Sequence, residues 1–346
     1  MKKKKETQAA APQQERVKPT KQQRKHHILM LLFVVLFIAA IWVIRYPQNY
    51  VNMFIAHYDG TASVLESLKG LKRSDVERGE LLPYQQAFDD WKETHLRDEV
   101  SVTADDGVTL KGGLYDAGSD VTVVLLHTFD GSSTDTVYLF ADYYARKGYN
   151  ILLPDGRDHG ESGGDVVTYG RDEGGDLVRW VELLRDTYGA DSKVILHGDT
   201  LGANEALVGA KLLQQDGTLS DMLTFVVAES PVSNLYDGAD YFMKEQFKLP
   251  GFMVAIGDSF AKKPLGSSMK DIDLVEMTEG CTVPLLVIQG DGDTVVDPAA
   301  VQSFYDGYAG EKQMILTSGA AHGMAYVENA DECEQALDGM IQSCVK

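Results

Sequence analysis

One stretch constrains this chain more than any other: Lys193-Val194-Ile195-Leu196-His197-Gly198-Asp199-Thr200-Leu201-Gly202-Ala203-Asn204-Glu205-Ala206. An apolar run ends in Gly-x-Thr-x-Gly and passes at once into helix-forming residues. That is the layout of a nucleophile elbow, in which a hydroxyl stands at the tip of a sharp strand-to-helix turn. The flanking glycines have a steric purpose, because strand and helix approach so closely that side chains there would clash. The tip residue is usually Ser. Here it is Thr200, whose extra methyl group must fit a strained backbone position.

The surrounding pattern agrees with such a turn. Glu99 to Ala104 and Val108 to Tyr115 read as a hairpin turned by Asp105-Asp106-Gly107, an Asp-Gly turn signal. Strands are expected over Val121 to Leu126, Tyr149 to Pro154, Lys193 to Leu196, Leu223 to Ala228, Leu285 to Ile288 and Gln313 to Thr317. Helices are expected over Asp135 to Lys147, over Asp172 to Tyr188 and from the elbow to about Gln214. Continuous apolar strands alternating with helices imply a mostly parallel, doubly wound sheet covered on both faces. Val232 to Gly280 breaks the rhythm, contains no clear strand and is expected to form a small helical cap above the C-terminal edge of the sheet. An earlier helical pattern, with Val64, Leu65, Leu68 and Leu71 followed by Tyr84, Phe88 and Trp91, reads as a connector packed on the flank.

Charge divides the chain. The first 27 residues hold nine Lys/Arg and two Asp/Glu, and the rest holds 23 basic and 50 acidic residues. So acidic a surface argues against nucleic acid or anionic lipid as the main partner. Between the two regimes Ile28 to Ile44 runs seventeen residues without a charge, near the lower limit for crossing a bilayer core of about 30 Å. A cleaved signal peptide would have a short basic start and a small-x-small site. This stretch has a long basic start and ends in Trp42-Val43-Ile44-Arg45, which favours an uncleaved anchor. The basic flank keeps the N-terminus in the cytoplasm and puts the remainder outside the cell membrane. The expected organisation is a cytoplasmic basic tail over 1–27, a transmembrane anchor over 28–45 and a helical connector over 46–97. A core over 98–231 and 281–346 then carries the cap at 232–280. Cys333 and Cys344 lie too far apart on one expected helix to pair. That leaves either a Cys281–Cys344 disulfide or three buried free thiols.

In an open α/β sheet ligands bind beyond the C-terminal strand ends, so polar residues there carry the chemistry. An elbow hydroxyl needs a base and a carboxylate to orient that base, in the chain order nucleophile, acid, histidine. Of eight histidines only His322, in Ser318-Gly319-Ala320-Ala321-His322-Gly323, follows every expected strand. The loop Gln289-Gly290-Asp291-Gly292-Asp293-Thr294-Val295-Val296-Asp297-Pro298 offers three acids. Asp291 and Asp297 suit turn and cap positions; Asp293, between the Gly290 exit and Val295-Val296, has the spacing for the acid, with Asp291 next. The oxyanion hole needs two N–H donors, for which Leu201 and Phe129 are the candidates.

Asp155-Gly156-Arg157-Asp158-His159-Gly160-Glu161-Ser162-Gly163-Gly164 resembles the Asp-x-Arg-x-His-Gly-x-Ser loop of α/β-hydrolases. Together with Tyr169-Gly170 and Glu229-Ser230-Pro231-Val232-Ser233-Asn234-Leu235, the region from about Glu99 to Cys344 is similar to a bacterial, membrane-anchored, serine-aminopeptidase-like subgroup of that superfamily. The resemblance implies an α/β-hydrolase fold and a Ser-His-Asp-type hydrolase of esters or amides. It implies neither metal nor organic cofactor, and a structural role for His159. Two departures stand out: Thr128 replaces the glycine usual before the oxyanion residue, and Thr200 replaces Ser.

The expectation is therefore a membrane-tethered extracytoplasmic hydrolase of a small-molecule or peptide acyl substrate, using Thr200, His322 and Asp293, with weak activity because of the threonine. A catalytically silent binding protein of the same fold at the cell surface is the alternative, and an acyltransferase the third reading.

Overall fold

The computed structural model describes residues 21–22, 25–35, 37, 55, 75–95, 97–129 and 137–345. The chain divides into two units, residues 1–46 and 47–346. In the first, residues 25–35 are helical, and the apolar side chains from Ile28 to Val35 are exposed. Among the described residues no helix is long and apolar enough to cross a membrane. Positions 36 and 38–45 of the expected anchor lie outside the described residues, as do Val64, Leu65, Leu68 and Leu71 of the expected connector.

The second unit is built on eight strands: β1 Arg97–Thr103, β2 Thr109–Tyr115, β3 Val121–Leu126, β4 Asn150–Pro154, β5 Lys193–Asp199, β6 Leu223–Glu229, β7 Leu285–Gly290 and β8 Lys312–Thr317. They form one sheet in the order β1-β2-β4-β3-β5-β6-β7-β8. β1 and β2 pair antiparallel through the Asp105–Gly107 turn, and β2 pairs antiparallel with β4. Every later pairing is parallel. All residues of β3, β4 and β7 are buried, as the unbroken apolar runs require of strands covered on both faces.

The helices are α1 Asp75–Thr94, α2 Tyr138–Arg146, α3 Glu173–Tyr188, α4 Leu201–Gln215, α5 Leu235–Phe247, α6 Phe252–Leu265, α7 Leu274–Met277, α8 Pro298–Gly307, α9 Ala325–Glu328 and α10 Ala330–Cys344. On one face α1, α2 and α10 share a core with Val123 and Leu125 of β3 and Ile151 and Leu153 of β4. Rings set its shape: Phe140 meets Tyr326 edge-on at 5.2 Å and His197 at 4.0 Å. Contacts between such aromatic rings contribute about 0.5–1.5 kcal/mol each beyond area burial. His197 is a core residue, its Nδ1 2.9 Å from the Tyr144 hydroxyl, and burial drives its pKa down to about 3. The pleat turns Leu126 the other way, toward α4, which packs on α3. The helix read from Asp135 begins at Tyr138, and residues 130–136 lie outside the described residues.

Between β6 and β7 the chain forms α5, α6, a 3₁₀ turn over Met269–Asp271 and α7. Asn234 caps α5 by accepting from the Tyr236 and Asp237 N–H groups, and its amide reaches Asp273 at 3.0 Å. That contact and a β-bridge between the same two residues close the base of the insertion.

The three cysteines are free, so the Cys281–Cys344 pairing is corrected. Cys281 is buried, its sulfur receiving the Tyr308 hydroxyl at 3.2 Å, whereas Cys344 at the end of α10 is half-exposed beside Ser343. The alternative of three buried thiols holds for Cys281 and Cys333 only.

Candidate active site

β5 ends at Asp199, Thr200 turns the chain with φ 53° and ψ −96°, and α4 begins at Leu201. A non-glycine residue in the left-handed region costs on the order of 1–3 kcal/mol. The strand ladder fixes the turn: the Thr200 N–H donates to Glu229 O at 2.8 Å. The glycine requirement is visible as crowding. A Cβ on Gly198 would sit 2.0 Å from Gly202 O, and one on Gly202 would sit 2.2 Å from Leu126 O. Gly202→Ala is expected to destabilise the fold by roughly 3 kcal/mol or more, since the obstacle is backbone. Gly175→Ala in α3, where a Cβ meets nothing within 4 Å, should be neutral or stabilising by up to about 1 kcal/mol. Urea unfolding midpoints of the two variants check this; equal midpoints would refute it.

Thr200 Oγ1 lies 3.2 Å from His322 Nε2, and His322 Nδ1 lies 2.8 Å from Asp293 Oδ2. Thr200 and Asp293 are buried, and the His322 side chain is 23% exposed. The Asp293 carboxylate is fixed by other donors. Its Oδ1 accepts from the Val295 and Val296 N–H groups at 2.7 and 2.9 Å, and Gln289 reaches Oδ2 at 3.3 Å. From α5, the Tyr241 hydroxyl donates to Asp293 O at 2.8 Å. Asp291 instead receives the Gly319 N–H, and Asp297 caps α8 through the Ala299 N–H. The three acids thus divide into one facing the histidine and two serving turns. Gly290 also serves a close approach, because a Cβ there would lie 2.2 Å from Ala320 O.

Two carboxylates that sequence reasoning missed complete the neighbourhood. Thr200 Oγ1 donates to Asp199 Oδ1 at 2.8 Å, and Asp199 lies in register with Glu229 on the adjacent strand. Burial opposes charge on His322, but Asp293 by charge and hydrogen bond, then Asp199 and Glu229 by charge, outweigh it and raise the ring to about 9. Asp293 is held below the usual carboxylate range: burial works against this, but the His322 charge and hydrogen bond and two backbone N–H groups prevail. A ring raised above its unfolded value contributes stability fully below about pH 6.5 and loses it as pH climbs through the folded value. The neutral ring, which alone can accept a proton, is the alkaline form.

The oxyanion candidates sit at neighbouring strand ends. Leu201 is the first residue of α4, where helix N–H groups have no intrahelical partner. Phe129 follows β3, whose Leu126 pairs with Gly198 of β5. The Phe129 loop is stitched down by two histidines. His159 places its ring nitrogens 2.8 Å from Arg157 O and Phe129 O. His127 accepts the Gly156 N–H at Nε2 and contacts Thr128 O through Nδ1. Arg157 anchors the same region between Asp106 and the buried Asp176. Among the described residues no cluster of His, Cys, Asp or Glu is arranged to hold a metal ion.

No family model matches the chain. A protein of Bacillus subtilis (strain 168), the uncharacterized YqkD, is 27% identical over 199 residues, covering 57% of this chain and 62% of that one. The match therefore spans less than two thirds of that relative. The esterase Pf2001 of Pyrococcus furiosus has a similar structure at a TM-score of 0.61 and 27% identity, over 75% of this chain and 94% of that one. An α/β-hydrolase of Vibrio vulnificus shares the fold at a TM-score of 0.56 and 16% identity, over 82% of this chain and 96% of that one. The chain belongs to the α/β-hydrolase superfamily. In this α/β-hydrolase the tip of the elbow carries Thr200, and the hydroxyl has two neighbours, His322 and Asp199, competing for one proton.

Proposed function

We propose that this α/β-hydrolase cleaves an ester or amide with Thr200 as nucleophile, His322 as base and Asp293 as the acid that orients the ring. The observation that carries the reading is the unbroken Thr200–His322–Asp293 chain of contacts at the C-terminal ends of β5, β7 and β8. The similarity to an esterase supports it. In the first step Thr200 Oγ1 bonds to the acyl carbon, its proton passes to His322 Nε2, and the carbonyl π pair moves onto oxygen, where the Leu201 and Phe129 N–H groups would receive it. Collapse expels the alcohol or amine, which takes the proton from His322. Water, deprotonated by the same ring, then releases the acid. The uncharged run Ile28 to Ile44 behind its basic flank supports a tether that puts this chemistry outside the cell membrane.

One observation favours a silent binding protein instead: the Thr200 hydroxyl donates to Asp199, its nearer neighbour at 2.8 Å. A fluorophosphonate probe at pH 10, where the ring is largely neutral, separates the two. Covalent mass on the peptide carrying Thr200, absent from Thr200→Ala, is expected. An unlabelled wild-type protein that still binds an acyl or peptide ligand would establish the second reading.

A further inference from the structure

Thr200 has a single hydroxyl proton and two neighbours able to take it. Asp199 Oδ1 is the nearer, at 2.8 Å against 3.2 Å for His322 Nε2, and a carboxylate can only accept. With that proton spent, the Oγ1 atom has lone pairs left to face the ring. The contact with Nε2 is then closed by an N–H donating from His322. Nδ1 already faces the Asp293 carboxylate at 2.8 Å and must donate too. Both ring nitrogens are donors, which only the imidazolium provides.

The surroundings suit that cation. Asp293 approaches from the loop after β7, Asp199 from β5, and Glu229 from β6 in register with Asp199. Side chains paired in register on neighbouring strands share a face of the sheet. Asp199 and Glu229 are 6% and 1% exposed, so water screens them little. The cap offers Tyr241, whose hydroxyl is committed to Asp293 O. From α10 comes Cys333, whose thiol burial pushes up to about 12 and so keeps neutral.

We propose that Asp199 is a positioning residue for the acyl transfer argued above: its carboxylate holds the Thr200 hydroxyl proton, so that His322 meets the oxygen as a donor rather than as the acceptor the reaction needs. The inference rests on that reading of Thr200 and adds a residue to it. Reaching the reactive arrangement then takes two changes. The ring loses its Nε2 proton to solvent, and the Thr200 O–H turns from Asp199 to the vacated nitrogen. Asp199 opposes both, the first by its charge and the second by its hydrogen bond. The protein is therefore built with its base occupied near neutrality and released in the alkaline range.

The test compares the wild-type chain with Asp199→Asn and Asp199→Ser. Asparagine keeps an acceptor without the charge, and serine supplies a second uncharged variant should the first fold poorly. Hydrolysis of p-nitrophenyl acetate is followed from pH 6 to 10.5, and His322 is titrated by ¹⁵N imidazole NMR in each protein. In Asp199→Asn the acid limb of kcat/KM and the ring titration should move together to lower pH by about one unit, raising kcat/KM at pH 7 about tenfold. A well-folded variant whose ring titration and acid limb stay at the wild-type position overturns the proposal. So does a rate lowered equally at every pH. If no protein turns over substrate at any pH, the hydrolase reading fails by itself, and the NMR titration alone still decides whether Asp199 controls the ring.

Discussion

Replacing Thr200 with alanine is expected to lower kcat/KM for p-nitrophenyl esters by roughly 10⁴- to 10⁶-fold, because residues that act as one relay lose nearly everything when the nucleophile is removed. The hydroxyl reaches His322 Nε2 at 3.2 Å, and alanine offers the ring no oxygen to activate. Stability should not fall with activity: alanine fits φ 53° no worse than the β-branched threonine does. Thr200→Ser gives the opposite sign. The methyl restricts how Oγ1 turns between Asp199 and His322, and an off-rotamer side chain costs of order 0.5–1.5 kcal/mol. Removing that constraint should raise the rate roughly tenfold or less. Alanine at wild-type rate, measured at pH 9.5 on purified protein, would show that another group attacks.

Asp293→Asn should cost about 10⁴-fold in kcat, and here the cause can be traced to two backbone donors. The Val295 and Val296 N–H groups both point at Oδ1, so the asparagine oxygen must take that place. The amide NH₂ is then left facing His322 Nδ1 at the position Oδ2 held. A ring that accepts at Nδ1 carries its proton on Nε2 and cannot take one from Thr200. Raising the pH does not reverse this, since the fault lies in the tautomer rather than in the charge. Imidazole ¹⁵N shifts at pH 10 should report Nε2–H in the variant and Nδ1–H in wild type. Activity recovering to wild-type values at pH 10 would contradict the argument.

Much of this arrangement could be read from residue order. The elbow glycines, the apolar strands and the Asp-Gly turn each have a local physical cause, so they announced the parallel sheet and the position of Thr200. His322 and Asp293 were legible because chain order and turn chemistry left few other choices: Asp291 and Asp297 fit turn and cap positions, and the structure uses them so. Asp199 and Glu229 were not. Each stands at the end of a strand whose partner and register depend on the whole sheet, and nothing local says that two such residues become neighbours. The signal was nonetheless in plain sight, as an acid inside the elbow motif itself. At Gly290 a second cause was out of reach, because the atom that crowds it belongs to Ala320, thirty positions away. Of the two cysteine readings left open, free thiols is the one the structure has, and Cys281 turns to Tyr308.

Tyr241 and Gln246, one turn and a half apart on α5, grip Asp293 and Thr294 from above through three hydrogen bonds. The helix α5 is thus bolted to the very peptide that steadies the imidazole. Exchanging α5 for a foreign helix would therefore disturb the proton path, unless the replacement restores both anchors.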